Sequence, residues 1–240
     1  MEYPIDNQTF TDLVDLRHEM VQKNPSPALV GIASPFVPWI GSDILAGTPG
    51  IYFVGIATRG ECEGDSFDRE CCLKLSEDIV NNPHPHSLFW RYITDVSKRV
   101  FGQEFAKCVS KIGFSNQFKI GVFDRSNENR SLNPEGFYES TQVELCTSIL
   151  DRELQLASSC AIVFLGDGPV IYPIVGSGGW DTEKYRNPDI DIKYRKNGAP
   201  IIFQYHLGSW RFAKHQTENF QAHAEVVEFE IQRYLGHLRK

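Results

Sequence analysis

The chain has 240 residues, 41% of them hydrophobic, enough for one sizeable core in a single domain over residues 1–240. Its net charge of −7 argues against a protein held to nucleic acid by its overall field, although a local basic groove stays open. No stretch approaches the roughly 20 apolar residues that span a bilayer, and the start MEYPIDNQTF is not a basic segment followed by an apolar run, so a soluble, cytoplasmic protein with no membrane partner is expected.

Phe10, Leu13, Val14, Arg17 and Val21 follow helical spacing and predict a first helix over Thr9 to Gln22, broken by Asn24-Pro25-Ser26-Pro27. Gly31 to Gly50 reads as an irregular, Pro- and Gly-rich approach. Ile51 to Val54 is an uncharged run of β-branched and aromatic residues, the pattern of a strand buried on both faces. Gly55 ends it, and Ile56 to Asp65 is a polar, glycine-punctuated loop. Arg69 to Val80 is weakly periodic and closes on Asn81-Asn82-Pro83-His84-Pro85-His86, where the two histidines read as a surface turn rather than a metal site. Ser87 is placed to cap a helix over Leu88 to Phe101, with Gly102 ending it.

Ile112 to Ile120 reads as the second sheet strand and delivers Ser115, Asn116 and Lys119 toward its end. The polar loop that follows, to Asn133, carries Arg125 and Arg130. Asn133-Pro134 signals a helix start, and Val143, Cys146, Ile149, Leu150, Leu154 and Ala157 continue it as one helix of about six turns. Ala161 to Leu165 is the third strand, with Gly166-Asp167-Gly168-Pro169 as its exit. Tyr172 to Ala199 reads as a functional flap or a small hairpin insertion. Pro200 to Tyr205 is the fourth strand and runs into His206. Thr217 then caps a closing helix that buries Phe220, Ala224, Val227, Ile231, Tyr234 and Leu238.

Strands alternating with helices predict an α/β fold, a three-layer α/β/α sandwich around a central four-stranded parallel sheet. Ligands bind such sheets at the carboxyl ends of the strands. The four exits would bring Gly55 to Asp65, Ser115-Asn116, Gly166-Asp167 and His206 to one edge. There the Asn116 amide offers donor and acceptor to an amide-like ring edge, His206 suits an oxygen gaining negative charge, and Phe67 or Trp210 suits stacking on a flat ring. Taken singly, a strand-end Asn is also an ordinary turn residue and a strand-end His an ordinary capped one. The six cysteines form no CxxC pair. Cys108, Cys146 and Cys160 read as small apolar residues, and neither metal nor cofactor is expected.

The segments SNQFKIG, ENRSLNPEG and LDRELQLASSCAIVFLGDG, between Ser115 and Gly168, resemble in order and spacing the uracil-DNA glycosylase superfamily. There a Thr-Asn-x-x-Lys strand end precedes an Asn-Arg-x-Pro-x-x-Glu helix start and a strand ending in Leu-Gly. Upstream, VGIATRGECEGD stands in the place of the family's first motif, and downstream YHLGSW stands where the family carries His-Pro-Ser. The resemblance covers Gly50 to about Arg211. It implies a uracil-DNA glycosylase-like fold, DNA as partner, and hydrolysis of the N-glycosidic bond of a base extruded from the stack.

Residue by residue, the resemblance implies that Asn116 reads the base, His206 stabilises the departing ring and Phe67 stacks on it. Gly55, Ile56, Ala57, Ser115 and Gly166 would line the substrate, and Lys119, Arg125, Arg130, Ser209 and Arg211 would meet the nucleic acid. The chain departs from the family where an acidic or amide residue of the first motif handles water, because Ile56 and Ala57 stand there; Glu61 or Asp65 is the candidate displaced carboxylate. The cysteines that hold an iron-sulfur cluster in some members have no counterpart. The alternative is a glycosylase-like protein without chemistry that binds a nucleotide, a nucleic acid or a protein. An unrelated α/β hydrolase lacks its nucleophile-elbow motif in this chain.

Overall fold

The computed structural model describes residues 5–57, 68–84, 87–127, 130–166, 168–176, 181–184, 190–204 and 216–238. Asp6 starts α1 (Asn7–Gln22) by accepting the Thr9 N–H at 2.7 Å, satisfying a donor that a helix start leaves unpaired. The Pro- and Gly-rich approach contains more regular structure than its composition predicts: β1 (Val30–Pro35), β2 (Trp39–Ile40) and the short α2 (Ser42–Leu45). Then follow β3 (Ile51–Gly55), α3 (Arg69–Asn81) and α4 (Leu88–Phe101). Helix α4 has the predicted bounds because both signals operate. The Ser87 hydroxyl accepts the Trp90 N–H, and Gly102 takes the left-handed conformation, φ 62°, that a side chain would resist.

The expected second strand divides in two. Residues Ile112–Asn116 form β4, and Ile120–Asp124 form β5, which belongs to a different sheet. Between them, Gln117 and Phe118 donate their N–H groups to the Gly55 and Ile56 carbonyls, and the chain then turns away to pair with β1. Arg130–Leu132 forms β6 beside β5, giving a small antiparallel sheet ordered β1-β5-β6. The single six-turn helix is also two helices, α5 (Phe137–Ser140) and α6 (Val143–Leu156). Gly136, at φ 56°, delays the start past Asn133-Pro134. Gln142 stands at the junction, its buried amide bonded to both the N–H and the C=O of Ile120 at 3.1 Å.

Beyond α6 come β7 (Ala161–Leu165), α7 (Ile171–Gly176), β8 (Asp181–Lys184), β9 (Ile190–Tyr194), β10 (Pro200–Gln204) and α8 (Gln216–His237). The main sheet is mixed, ordered β2-β4-β3-β7-β10-β9-β8. Its four central strands, β4, β3, β7 and β10, are the four expected and are mutually parallel; β2, β9 and β8 add antiparallel edges. The insertion before β10 is therefore a hairpin that widens the sheet.

Alternation along the strands serves two cores, one on each side of the sheet. Phe53, Phe114, Val163 and Ile202 face α4 and α8, against residues such as Ile93, Val96, Val227 and Ile231. Tyr52, Val54, Ile162, Phe164 and Ile201 face the other side, against Cys146, Leu150 and Leu154 of α6. The fold is thus α/β with helices on both faces of a mixed sheet. A third cluster joins α1 to the small sheet through Phe10, Leu13, Met20, Ile32 and Val122. Among the described residues, no helix is long and apolar enough to cross a membrane.

Candidate functional site

The strand order fixes where the sheet opens. From β3 the chain passes to β4 on one side, then crosses back to β7 and β10 on the other, so the connections diverge at the carboxyl end of β3. A cavity of about 660 Å³ lies at this edge, within the range of small-molecule sites. Gly55, Ile56, Ala57 and Asn116 line it from the sheet, Asp78, Ile79 and Asn82 from the end of α3, and Ser87, Phe89 and Trp90 from the start of α4.

Asn116 is buried, and among the described residues its Nδ2 has no hydrogen-bond partner. An amide donor left unpaired away from water costs about 1–3 kcal/mol, a cost that an acceptor entering the cavity would relieve. Gly55 makes the arrangement possible: a methyl group there would lie 2.6 Å from Asn116 Oδ1 and 3.0 Å from the Phe89 ring. Phe89 also meets Phe114 edge-on at 5.3 Å, and Trp90 meets Phe114 at 4.9 Å, so one wall is a rigid aromatic cluster.

Beneath Asn116 lies a fully buried ion pair. The Lys119 ammonium sits 2.9 Å from Glu153 Oε1 and donates to Ser115 Oγ at 2.7 Å and to the Asn116 carbonyl. Glu153 Oε2 in turn accepts the Tyr52 hydroxyl at 3.1 Å. Two charges removed from water need such partners to persist. The network holds the backbone of Asn116 from the face opposite the cavity. Gln117 supplies the other restraint, donating Nε2 to the Gly166 carbonyl at 2.9 Å while its N–H meets the Gly55 carbonyl. Three strand exits are thereby tied together.

Gly55, Asn116 and Gly166 thus converge as the topology predicts, and Ile56 and Ala57 stand half-buried on the cavity wall. Ser115 and Lys119 need correction. Both are fully buried and engaged with each other, so Ser115 turns its hydroxyl away from the cavity and Lys119 presents no charge to a phosphate. Arg125 is exposed in the turn after β5, its guanidinium 5.6 Å over the Phe123 ring, and Arg130 lies on β6 of the small sheet. His206, Glu61, Asp65, Phe67, Ser209 and Arg211 lie outside the described residues.

Phe89, Trp90, Asp78 and His84 line the cavity without having been singled out for it. The sequence did hold one signal. A helix that returns the chain between parallel strands must begin at their carboxyl edge, which places the first turn of α4 at the site. Asp78 and His84 are the ionisable groups among the described lining residues. A second cavity of about 520 Å³ adjoins through the shared His84 and Trp90, and in it the Arg91 guanidinium lies 5.9 Å over the Phe220 ring. Elsewhere, burial pushes the Cys146 and Cys160 thiols up to about 11, so both stay protonated at neutral pH.

No protein-family model and no curated protein sequence matches the chain.

Proposed function

We propose that this cavity takes a planar, carbonyl-bearing base extruded from DNA, and that the protein is a divergent uracil-DNA glycosylase-like enzyme hydrolysing the N-glycosidic bond. The observation that carries the reading is the buried Asn116 amide, whose Nδ2 has no partner among the described residues, held over Gly55 beside the Phe89 ring at the edge of four parallel strands. Asn116 donates to a ring carbonyl, and Phe89 supplies the flat apolar surface for which Phe67 was the expectation. His206, two positions beyond the end of β10, stabilises the departing ring, and a carboxylate from Glu61, Asp65 or Asp78 orients water. The adjoining Arg91 and Phe220 suit the flanking strand, with one cation and one stacking surface.

The competing reading, a binder without chemistry, draws on Ile56 and Ala57, which face the cavity where the family keeps its water-handling residue. Purified protein incubated with duplex and single-stranded oligonucleotides carrying uracil, hypoxanthine, xanthine or a mismatch separates the two. Alkali-labile abasic sites with wild type and none with Asn116→Ala support the enzyme. Retained binding with no cleavage product across the panel supports the binder.

A further inference from the structure

The second cavity is built differently from the first. Strand ends and an aromatic cluster make the first, whereas one face of α4 makes much of the second: Arg91, Thr94, Asp95, Lys98 and Arg99 recur along its wall at helical spacing. Helix α8, which packs beside α4, contributes Phe220 and Gln221. The volume of about 520 Å³ lies within the range of small-molecule sites. His84 and Trp90 line both cavities, so a ligand seated in one borders directly on the other.

The cations on this wall are not alike. Lys98 pairs with Glu104 at 2.7 Å, and Arg99 with Asp95 at 2.8 Å and Glu228 at 3.7 Å. Arg91 is exposed, and among the described residues its guanidinium makes no ion pair; it lies 5.9 Å over the Phe220 ring. Phe220 is half-buried and meets the Tyr92 ring almost at right angles, 5.4 Å between centroids, so its position is held from below. The cavity thus joins one available cation to one fixed aromatic ring, with the exposed Gln221 amide beside them. A guanidinium meets a phosphate and also stacks on a flat ring, and an aromatic side chain stacks on any base.

We propose that the second cavity is a subsite for the nucleotide next to the extruded base, with its base against Phe220 and its phosphate on Arg91, and that the protein takes single-stranded DNA in preference to duplex. This rests on the reading of the first cavity as a base site. In a duplex the neighbouring nucleotide stays paired and stacked, so seating it in a cavity of its own adds a second unstacking step to the one that extrudes the target. A single strand offers both bases without breaking a pair. Charge runs the same way. A duplex is held by many phosphate contacts from a broad cationic surface, whereas this chain carries −7 overall and two of the three cations on the wall already face carboxylates.

The test is fluorescence anisotropy with a labelled oligonucleotide carrying one 2′-fluorodeoxyuridine, whose glycosidic bond resists cleavage, single-stranded or annealed to its complement. Deoxyuridine, titrated by NMR, probes the first cavity separately. Wild type is expected to bind the single strand about tenfold or more tighter than the duplex. Arg91→Gln should weaken single-strand binding about fivefold or more and flatten the plot of log affinity against log salt by about 0.7, the share of one phosphate contact. Phe220→Leu should weaken it about fivefold or more through the lost stacking surface. Because Phe220 also packs on Tyr92, its variant is read beside its thermal midpoint. Arg91 is exposed, so Arg91→Gln keeps the fold, and its salt slope is a readout that a structural role would not move. A duplex bound as tightly as the single strand, or Arg91→Gln within about twofold of wild type with an unchanged salt slope, overturns the proposal; deoxyuridine binding in that case leaves the base site standing. Deoxyuridine bound with neither form of the oligonucleotide bound also overturns it, the ligand then being a free nucleoside. Binding of neither deoxyuridine nor oligonucleotide overturns both the proposal and the base-site reading.

Discussion

Substituting Lys119 by Met tests whether the ion pair beneath Asn116 holds the site or merely fills space. Met matches the stem of Lys but removes the ammonium, so Glu153 is left buried without its cation while Ser115 Oγ and the Asn116 carbonyl lose a donor. Breaking a buried pair on one side costs about 3–5 kcal/mol, a large share of the roughly 5–15 kcal/mol that holds a domain together. At this chain length that corresponds to a fall in thermal midpoint of about 6–20 °C. Glu153→Gln should cost less, since Gln still accepts from the Tyr52 hydroxyl. The combination Lys119→Met/Glu153→Gln should recover much of the loss, because no unpaired charge remains. Urea and thermal unfolding of the two singles and the double give the coupling energy directly. Single changes costing under about 1 kcal/mol, or a double that simply adds them, would refute the argument that these charges depend on each other.

Gly55→Ala brings a methyl group within 2.6 Å of Asn116 Oδ1 and should cost about 1–3 kcal/mol while displacing that amide. Urea unfolding beside base titration checks this, and an unchanged midpoint with unchanged binding contradicts it. At pH 8 a disulfide-exchange reagent should label the exposed Cys71 in the native protein while Cys146 and Cys160 react only after unfolding, as their buried, protonated thiols require. The Thr9 N–H holds the Asp6 carboxyl below the usual carboxylate range. A depressed folded value contributes stability above the unfolded one and loses it as pH falls through the folded one. Asp6→Ala should therefore be destabilised at neutral pH, with the gap to wild type narrowing below about pH 4; a gap constant from pH 7 to pH 2 would contradict the cap.

The central strands and α4 were legible because local signals agreed with tertiary ones. Ile51 to Val54 and Ala161 to Leu165 are apolar at every position, and Ser87 and Gly102 bracket α4 with side-chain chemistry that needs no distant partner. The failures are non-local. Nothing near Lys119 in sequence announces Glu153, 34 positions later, so a lysine at a strand end read as a surface cation. Nothing near Gln142 announces that its amide would serve Ile120 and interrupt a helix. Among the described residues, strand 30–35 pairs with β5 alone, far off in sequence, so its Pro and Gly content dominated the reading. At the site, Gly55 and Asn116 followed from strand ends alone, whereas Phe89 and Asp78 arrive on helices whose placement the crossover sets.

The two margins of the main sheet bear on how this molecule keeps its own company. On one side it ends in β2, only two residues long, and on the other in β8, whose sequence Asp181-Thr182-Glu183-Lys184 is charged at three of four positions. A stub and a charged border are poor templates for another chain to zip onto, which guards against edge-to-edge aggregation. Among the described residues, then, neither end of the main sheet offers a long apolar strand to which another chain could add.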